Sequence, residues 1–196
     1  MLRYIEEMGK TLQLGISTFA LTLLTLAWSP KLFAQDKGSQ FGLVYGFSVP
    51  DADNTNPFKL SGIKGVTFIH AKISLGGYWY LSDRSGAPSE TDKFQYSLHG
   101  VQTAFHMKGS KGDTNFALRA GLTKVRNNSG TTDMTFSPAH YGVAAGYDFF
   151  INAWLSYGFE GSYVKAMDAK VTAGGVEFER EGFNIVTFLA VIQMKF

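Results

Sequence analysis

The last fourteen residues constrain this chain more than any other stretch. In Phe183-Asn184-Ile185-Val186-Thr187-Phe188-Leu189-Ala190-Val191-Ile192-Gln193-Met194-Lys195-Phe196, every second residue back from the terminus is apolar: Phe196, Met194, Ile192, Ala190, Phe188 and Val186. The opposite parity begins with Lys195 and Gln193 and carries Thr187 further up. A period of two puts the two sets on opposite faces of a β-strand. In water such an apolar row on a terminal strand invites edge pairing and aggregation. Facing hydrocarbon, it is what the solvent requires.

The same alternation returns along the chain. In Ser39–Val49, Phe41, Leu43, Tyr45, Phe47 and Val49 oppose Gln40, Gly42, Val44, Gly46 and Ser48. Large outside and small or polar inside inverts the pattern of a soluble barrel. Further strands are expected over Lys59–Phe68 and Ile73–Leu81, with a break near Ile69–Lys72, and over Phe94–Met107, where a bulge near Gly100 would reconcile a change of parity. Asn115–Val125, His140–Phe149 and the segment around Leu155–Tyr163 follow, and the terminal strand makes the count eight. Asp51–Pro57, Ser82–Lys93, Asn127–Asp133 and Ala166–Gly182 read as long polar loops, with Val176–Glu179 extending the flanking strands; the connections between them are short. Long loops at one end and short turns at the other are the pattern of membrane barrels. Backbone amides in hydrocarbon have no water to bond, so the sheet must close. The expected fold is all-β: an eight-stranded antiparallel up-and-down transmembrane β-barrel.

Composition supports packed β-structure, with 22 glycines and 15% aromatics. A net charge of +2 and no basic cluster exclude a nucleic-acid partner, and the absence of cysteine excludes disulfides and thiol chemistry. Thr11–Trp28 is an uncharged, Leu- and Ala-rich run after Lys10, followed by Pro30 and then Ala34. That order fits an export signal cleaved after residue 34, with Met8 as an alternative start. A retained helical anchor is the competing interpretation. The domain division is then 1–34 for the signal and 35–196 for the barrel.

Two features carry a family resemblance: the terminal strand ending in Phe188, Ile192, Met194 and Phe196, and the hairpin Gly146-Tyr147-Asp148-Phe149 … Asn152-Ala153-Trp154-Leu155-Ser156-Tyr157-Gly158-Phe159-Glu160. On these residues the chain resembles the small eight-stranded outer-membrane β-barrel proteins of Gram-negative bacteria, the OmpA/OmpX-like barrels. The resemblance covers 35–196. It implies localisation in the bacterial outer membrane, with lipid and lipopolysaccharide around the barrel. It also implies insertion by the barrel-assembly machinery with the help of periplasmic chaperones, an assembly signal at Phe188, Ile192, Met194 and Phe196, and no periplasmic domain. A monomer without cofactor is expected.

Arg119, Asp148, Glu160 and Lys195 fall on the small, polar parity and are expected to form a network in the lumen. The lumen of an eight-stranded barrel is wide enough only for side chains. The network is therefore either a static polar plug or, with Arg119 switching between carboxylates, a narrow gated channel for ions or small solutes. Tyr78, Trp79 and Tyr80 near one end, and Phe149, Phe150 and Trp154 near the other, are candidates for interfacial girdles. Of the four histidines, His140 near Ser137 invites comparison with lipid A-modifying barrel enzymes. It lacks an oriented third group, however, and the segment Ser137-Pro138-Ala139-His140 departs from the His-x-Ser pattern associated with those enzymes. No metal-ligand spacing occurs. The expected role is non-enzymatic: a structural or surface-interaction protein presenting four outer loops. A channel is the alternative, with a lipid-modifying enzyme or a soluble ligand-binding barrel further behind.

Overall fold

The structure, a computed structural model, describes residues 38–51, 57–83, 85–86, 92–129, 132–173 and 176–196. The segment read as an export signal lies outside them. Twelve strands follow in order: β1 Ser39–Pro50, β2 Phe58–His70, β3 Ile73–Ser82, β4 Ser85–Gly86, β5 Asp92–Lys108, β6 Gly112–Ser129, β7 Thr132–Phe136, β8 Ala139–Phe150, β9 Leu155–Ala166, β10 Ala169–Ala173, β11 Val176–Arg180 and β12 Asn184–Lys195. Strands β1, β2, β3, β5, β6, β8, β9 and β12 pair in that circular order, antiparallel throughout, and close on themselves. Closure is made by β12 against β1, in register from Gln40↔Lys195 to Pro50↔Ile185. Phe196 and Ser39 exchange backbone hydrogen bonds of 2.9 and 3.1 Å at the end of that ladder.

One end of the barrel has only tight turns. Ala71 and Lys72 join β2 to β3, and Gly109–Lys111 join β5 to β6, where Gly109 N donates to Gly112 O at 2.8 Å. Between β8 and β9 the Asn152 Oδ1 accepts from the amides of Trp154 and Leu155 at 2.9 and 2.8 Å, a side chain standing in for a backbone turn. At the other, loop end, β5 and β6 run on past their neighbours, 17 and 18 residues against 10 in β3 and 12 in β8. The hairpin return β7 pairs with the end of β6, and β10 with β11 forms a separate two-stranded sheet. These short strands replace two expected loops, over Asn127–Asp133 and Ala166–Gly182. Val176–Glu179 does not extend a wall strand; it pairs back on β10.

The outward face carries an apolar belt that includes Leu43, Tyr45, Leu118, Phe159 and Ile192, each more than half exposed. The inward face departs from expectation. Its turn-end half is mainly polar, with Phe68 and a small Ala104–Ala117–Ala144 cluster among the polar groups, while its loop-end half is mainly an apolar core containing Leu60, Tyr96, Leu98, Val125, Ile185 and Leu189. Phe136 and Val171, buried and packed with Met134, Ala169 and Phe183, continue that core into a roof. The expected bulge near Gly100 is absent: β5 keeps unbroken register with β6 from Asp92 to Lys108. Tyr96 and Leu98 need no bulge because inward is the apolar side at that height.

Five of the bulky inward side chains fit this narrow lumen because each sits directly across a ladder from a glycine. Tyr80 pairs with Gly62, Tyr78 with Gly100, Arg119 with Gly142, Lys64 with Gly42 and Glu160 with Gly146. At Gly142 an added Cβ would stand 2.3 Å from the Tyr163 carbonyl oxygen and 3.0 Å from Val164 Cγ2.

Candidate functional site

The inward row of β9 places Glu160 at mid-lumen, 4% exposed. Lys64 Nζ, from β2, donates to its Oε2 at 2.9 Å, and Arg119 Nη2, from β6, donates to its Oε1 at 2.7 Å. The Tyr80 hydroxyl also donates to Oε1, at 3.3 Å. Arg119 is held further by Gln102 Oε1 at 3.0 and 3.1 Å, and its guanidinium lies 4.8 Å from the Tyr78 ring centroid. Two cations on one carboxylate leave a formal excess of positive charge. Asp148 lies toward the turn end, accepting from Gln193 at 2.6 Å and Asn115 at 3.2 Å. Between these groups a cavity of about 10 Å³, lined by Gln40, Lys64, Gln102, Asn115, Asp148 and Glu160 among others, has room for about one water.

Near the turn end, Ser74 Oγ stands 2.8 Å from His106 Nε2, and His106 Nδ1 stands 2.7 Å from Asp113 Oδ2. With Nδ1 donating to the carboxylate, a neutral ring accepts at Nε2 from the Ser74 hydroxyl. This is the hydrogen-bond order of a nucleophile, a base and an orienting acid. It lacks the two other requirements of a hydrolase. Ser74 is 0% exposed, with the Phe68 ring centroid 4.5 Å from the His106 ring and Lys108 over Phe68. The strand amides around Ser74 are engaged in the ladders to β2 and β5, so they do not offer a free pair of donors to an oxyanion. The arrangement is a buried relay that satisfies polar groups across β3, β5 and β6.

No protein-family model matches the sequence, and no curated protein matches it by sequence. Solved structures match the barrel. It is similar to Neisserial surface protein A, with a TM-score of 0.64 at 12% identity over 83% of this chain and 98% of that one. It is similar to Ail, the attachment invasion locus protein of Yersinia pestis, with a TM-score of 0.56 at 14% identity over 83% of this chain and 100% of that one. The outer membrane protein OprG from Pseudomonas aeruginosa aligns with a TM-score of 0.56 at 8% identity, over 82% and 96% of the two chains. The chain has the fold of the small eight-stranded outer-membrane barrels.

Within this barrel the four charged residues expected in the lumen separate. Arg119 and Glu160 are in contact; Asp148 belongs to the layer toward the turn end; Lys195 lies at the turn-end rim, its Nζ 3.4 Å from the Phe150 ring centroid. Phe188, Ile192, Met194 and Phe196 all face outward. Trp79 is outward at the loop end, whereas Phe149 and Trp154 are outward at the turn end and Phe150 is half-buried. Tyr78 and Tyr80 are not part of a girdle. They share the inward parity of Ser74, Gly76 and Ser82, are 5% and 0% exposed, and give their hydroxyls to the lumen. His140 is likewise a lumen residue, bonded to the Tyr78 hydroxyl and to Thr123 Oγ1, while Ser137 is exposed. That removes the Ser137–His140 pairing.

Sequence reasoning missed Lys64, Gln102, Ser74, His106 and Asp113. Parity was the available signal for His106, which shares the inward side of β5 with Gln102 and Ala104. Lys64 was obscured because β2 carries apolar residues on both faces, Leu60 and Val66 inward against Ile63 and Ile69 outward. Asp113 sits at the strand start and resembles a turn residue.

Proposed function

We propose that this protein is an integral, monomeric, non-enzymatic component of the bacterial outer membrane, exported through a signal over residues 1–34 and presenting a rigid platform to the outside. The platform, formed by the loop-end extensions of β5 and β6 with β4, β7, β10 and β11, would serve surface interaction or envelope stability. The turn end would face the periplasm. The apolar belt is the single observation that carries this reading: rows such as Leu43–Tyr45–Phe47 and Phe188–Ile192–Met194 have no protein to cover them among the described residues, and hydrocarbon is the solvent they suit. The solved neighbours, all bacterial outer-membrane proteins, support it through the fold.

Lys170→Cys, at the exposed β10 position, and Lys111→Cys, in a turn, test the orientation. In intact cells a membrane-impermeant maleimide should label the first and not the second. Labelling of the turn alone, or recovery of the chain in the soluble periplasm, would overturn the assignment. The polar mid-lumen keeps a narrow channel in view as a second reading, although the apolar half above it opposes conduction.

A further inference from the structure

The outward wall changes character between two neighbouring strands at the loop end. Along β5, the outward Met107, Phe105 and Val101 give way to His99, Ser97 and Gln95. Along β6, Phe116, Leu118 and Leu122 give way to Lys124 and Arg126. The registers bring Trp79 beside His99, Leu81 beside Ser97, Ser97 beside Lys124 and Gln95 beside Arg126. These side chains line a groove of about 580 Å³ on the outer wall, a size within the roughly 300–1,000 Å³ range of small-molecule sites.

The groove has two chemistries. Trp79 is 51% and Leu81 38% exposed, continuing the apolar belt upward. Lys124 and Arg126 stand above them, and among the described residues neither is paired with a carboxylate. His99 adds a ring whose Nδ1 has no hydrogen-bond partner among those residues. Unpaired cations on a wall facing hydrocarbon are costly, and the cost falls away at the level of the headgroups. A Trp settles at that same level. Arg forks and Lys point charges are the side chains that take phosphate oxygens.

We propose that this groove holds the phosphorylated headgroup of an outer-leaflet lipid, with Lys124 and Arg126 on the phosphate and Trp79 and Leu81 against the first part of an acyl chain. The inference rests on the outer-membrane orientation proposed above. It differs from a diffuse basic rim because it names one groove on one side of the barrel.

The test uses the folded full chain in zwitterionic micelles, titrated with diphosphoryl lipid A, with its dephosphorylated form and with inorganic pyrophosphate. Bound lipid is counted by native mass spectrometry, and emission of Trp79 is followed in a Trp28→Phe/Trp154→Phe background. Diphosphoryl lipid A should bind and shift the emission, the dephosphorylated form should bind at least tenfold more weakly, and Lys124→Gln/Arg126→Gln should lose at least tenfold. Equal affinity in that variant overturns the proposal. So does an equal loss in Lys59→Gln/Lys165→Gln, which would mean a general rim effect, and so does full competition by pyrophosphate, which would mean a site for free phosphate. Heat-modifiable gel migration is followed for every variant, so that a chain that fails to form a barrel counts against the fold and orientation rather than against the groove.

Discussion

Among the described residues Glu160 is the one carboxylate shared by two buried cations, so its removal strands both Lys64 and Arg119 in a low-dielectric interior. Breaking a buried pair by deleting one partner costs about 3–5 kcal/mol, and here two cations lose their partner at once. Glu160→Gln is therefore expected to destabilise the barrel by at least that range, read as the midpoint of urea unfolding in micelles. Lys64→Met leaves the Arg119–Glu160 contact intact and should cost clearly less; a reversed order would contradict the geometry. Ser74 allows a chemical check at the same scale. A fluorophosphonate that labels accessible activated serines should leave the folded protein unlabelled, because Ser74 is 0% exposed even though His106 stands 2.8 Å away. Labelling that disappears in Ser74→Ala would show that Phe68 and Lys108 open and that the relay is a working nucleophile.

At the scale of strands, the pairing of Tyr80, Tyr78, Arg119, Lys64 and Glu160 with glycines across the ladder makes a quantitative demand. Gly142→Val would drive a branched side chain toward the Tyr163 carbonyl and Val164. Overpacking of this kind costs about 1–3 kcal/mol. The loss should appear as a lower unfolding midpoint without a change in heat-modifiable migration, whereas an unchanged midpoint would mean that the strands can part locally at no cost. Phe196 is a different case. The residue is 75% exposed, but its backbone closes the β12–β1 ladder through two hydrogen bonds with Ser39. Deleting it should lower the yield of assembled barrel in cells more than it lowers the stability of barrel refolded in vitro, if the terminal aromatic also serves as an assembly signal. Equal effects would confine its role to the ladder. The strands themselves were legible because period-two alternation is local and unbroken in β1, β6, β8 and β12. The second layer of structure at the loop end was not: β7, β10 and β11 are five residues each, too short for a period to declare itself. In β3 the run Tyr78-Trp79-Tyr80 suggested a girdle by residue type, although parity separates Trp79 from the two tyrosines.

For the whole molecule, the distribution of chemistry along the barrel axis decides between plug and pore. Polarity alone suggested a lumen filled by charged residues, because Arg119, Glu160, Asp148 and Lys195 stand out in the sequence while Leu60, Leu98 and Leu189 look like ordinary strand residues. The fold places the charged residues in the middle and turn-end layers and packs Leu60, Leu98, Val125, Ile185 and Leu189, each no more than 2% exposed, beside and above them. An ion leaving the Lys64–Glu160–Arg119 cluster toward the loop end would enter a packed region whose buried polar groups, Ser48, Ser82, Thr123, His140 and Thr187, bring no buried carboxylate among the described residues, at an effective cost of several kcal/mol. The barrier to conduction therefore lies in the apolar half, and rearranging the ion pairs does not remove it. In planar bilayers the wild-type protein should be electrically silent, and Glu160→Ala should remain so. Leu60→Ala/Leu98→Ala/Leu189→Ala, which hollows the apolar layer, should show at least intermittent conductance if the chain still folds, with heat-modifiable migration as the check. The opposite outcome, current through Glu160→Ala and none through the triple variant, would place the gate at the ion pairs and make the channel reading the better one.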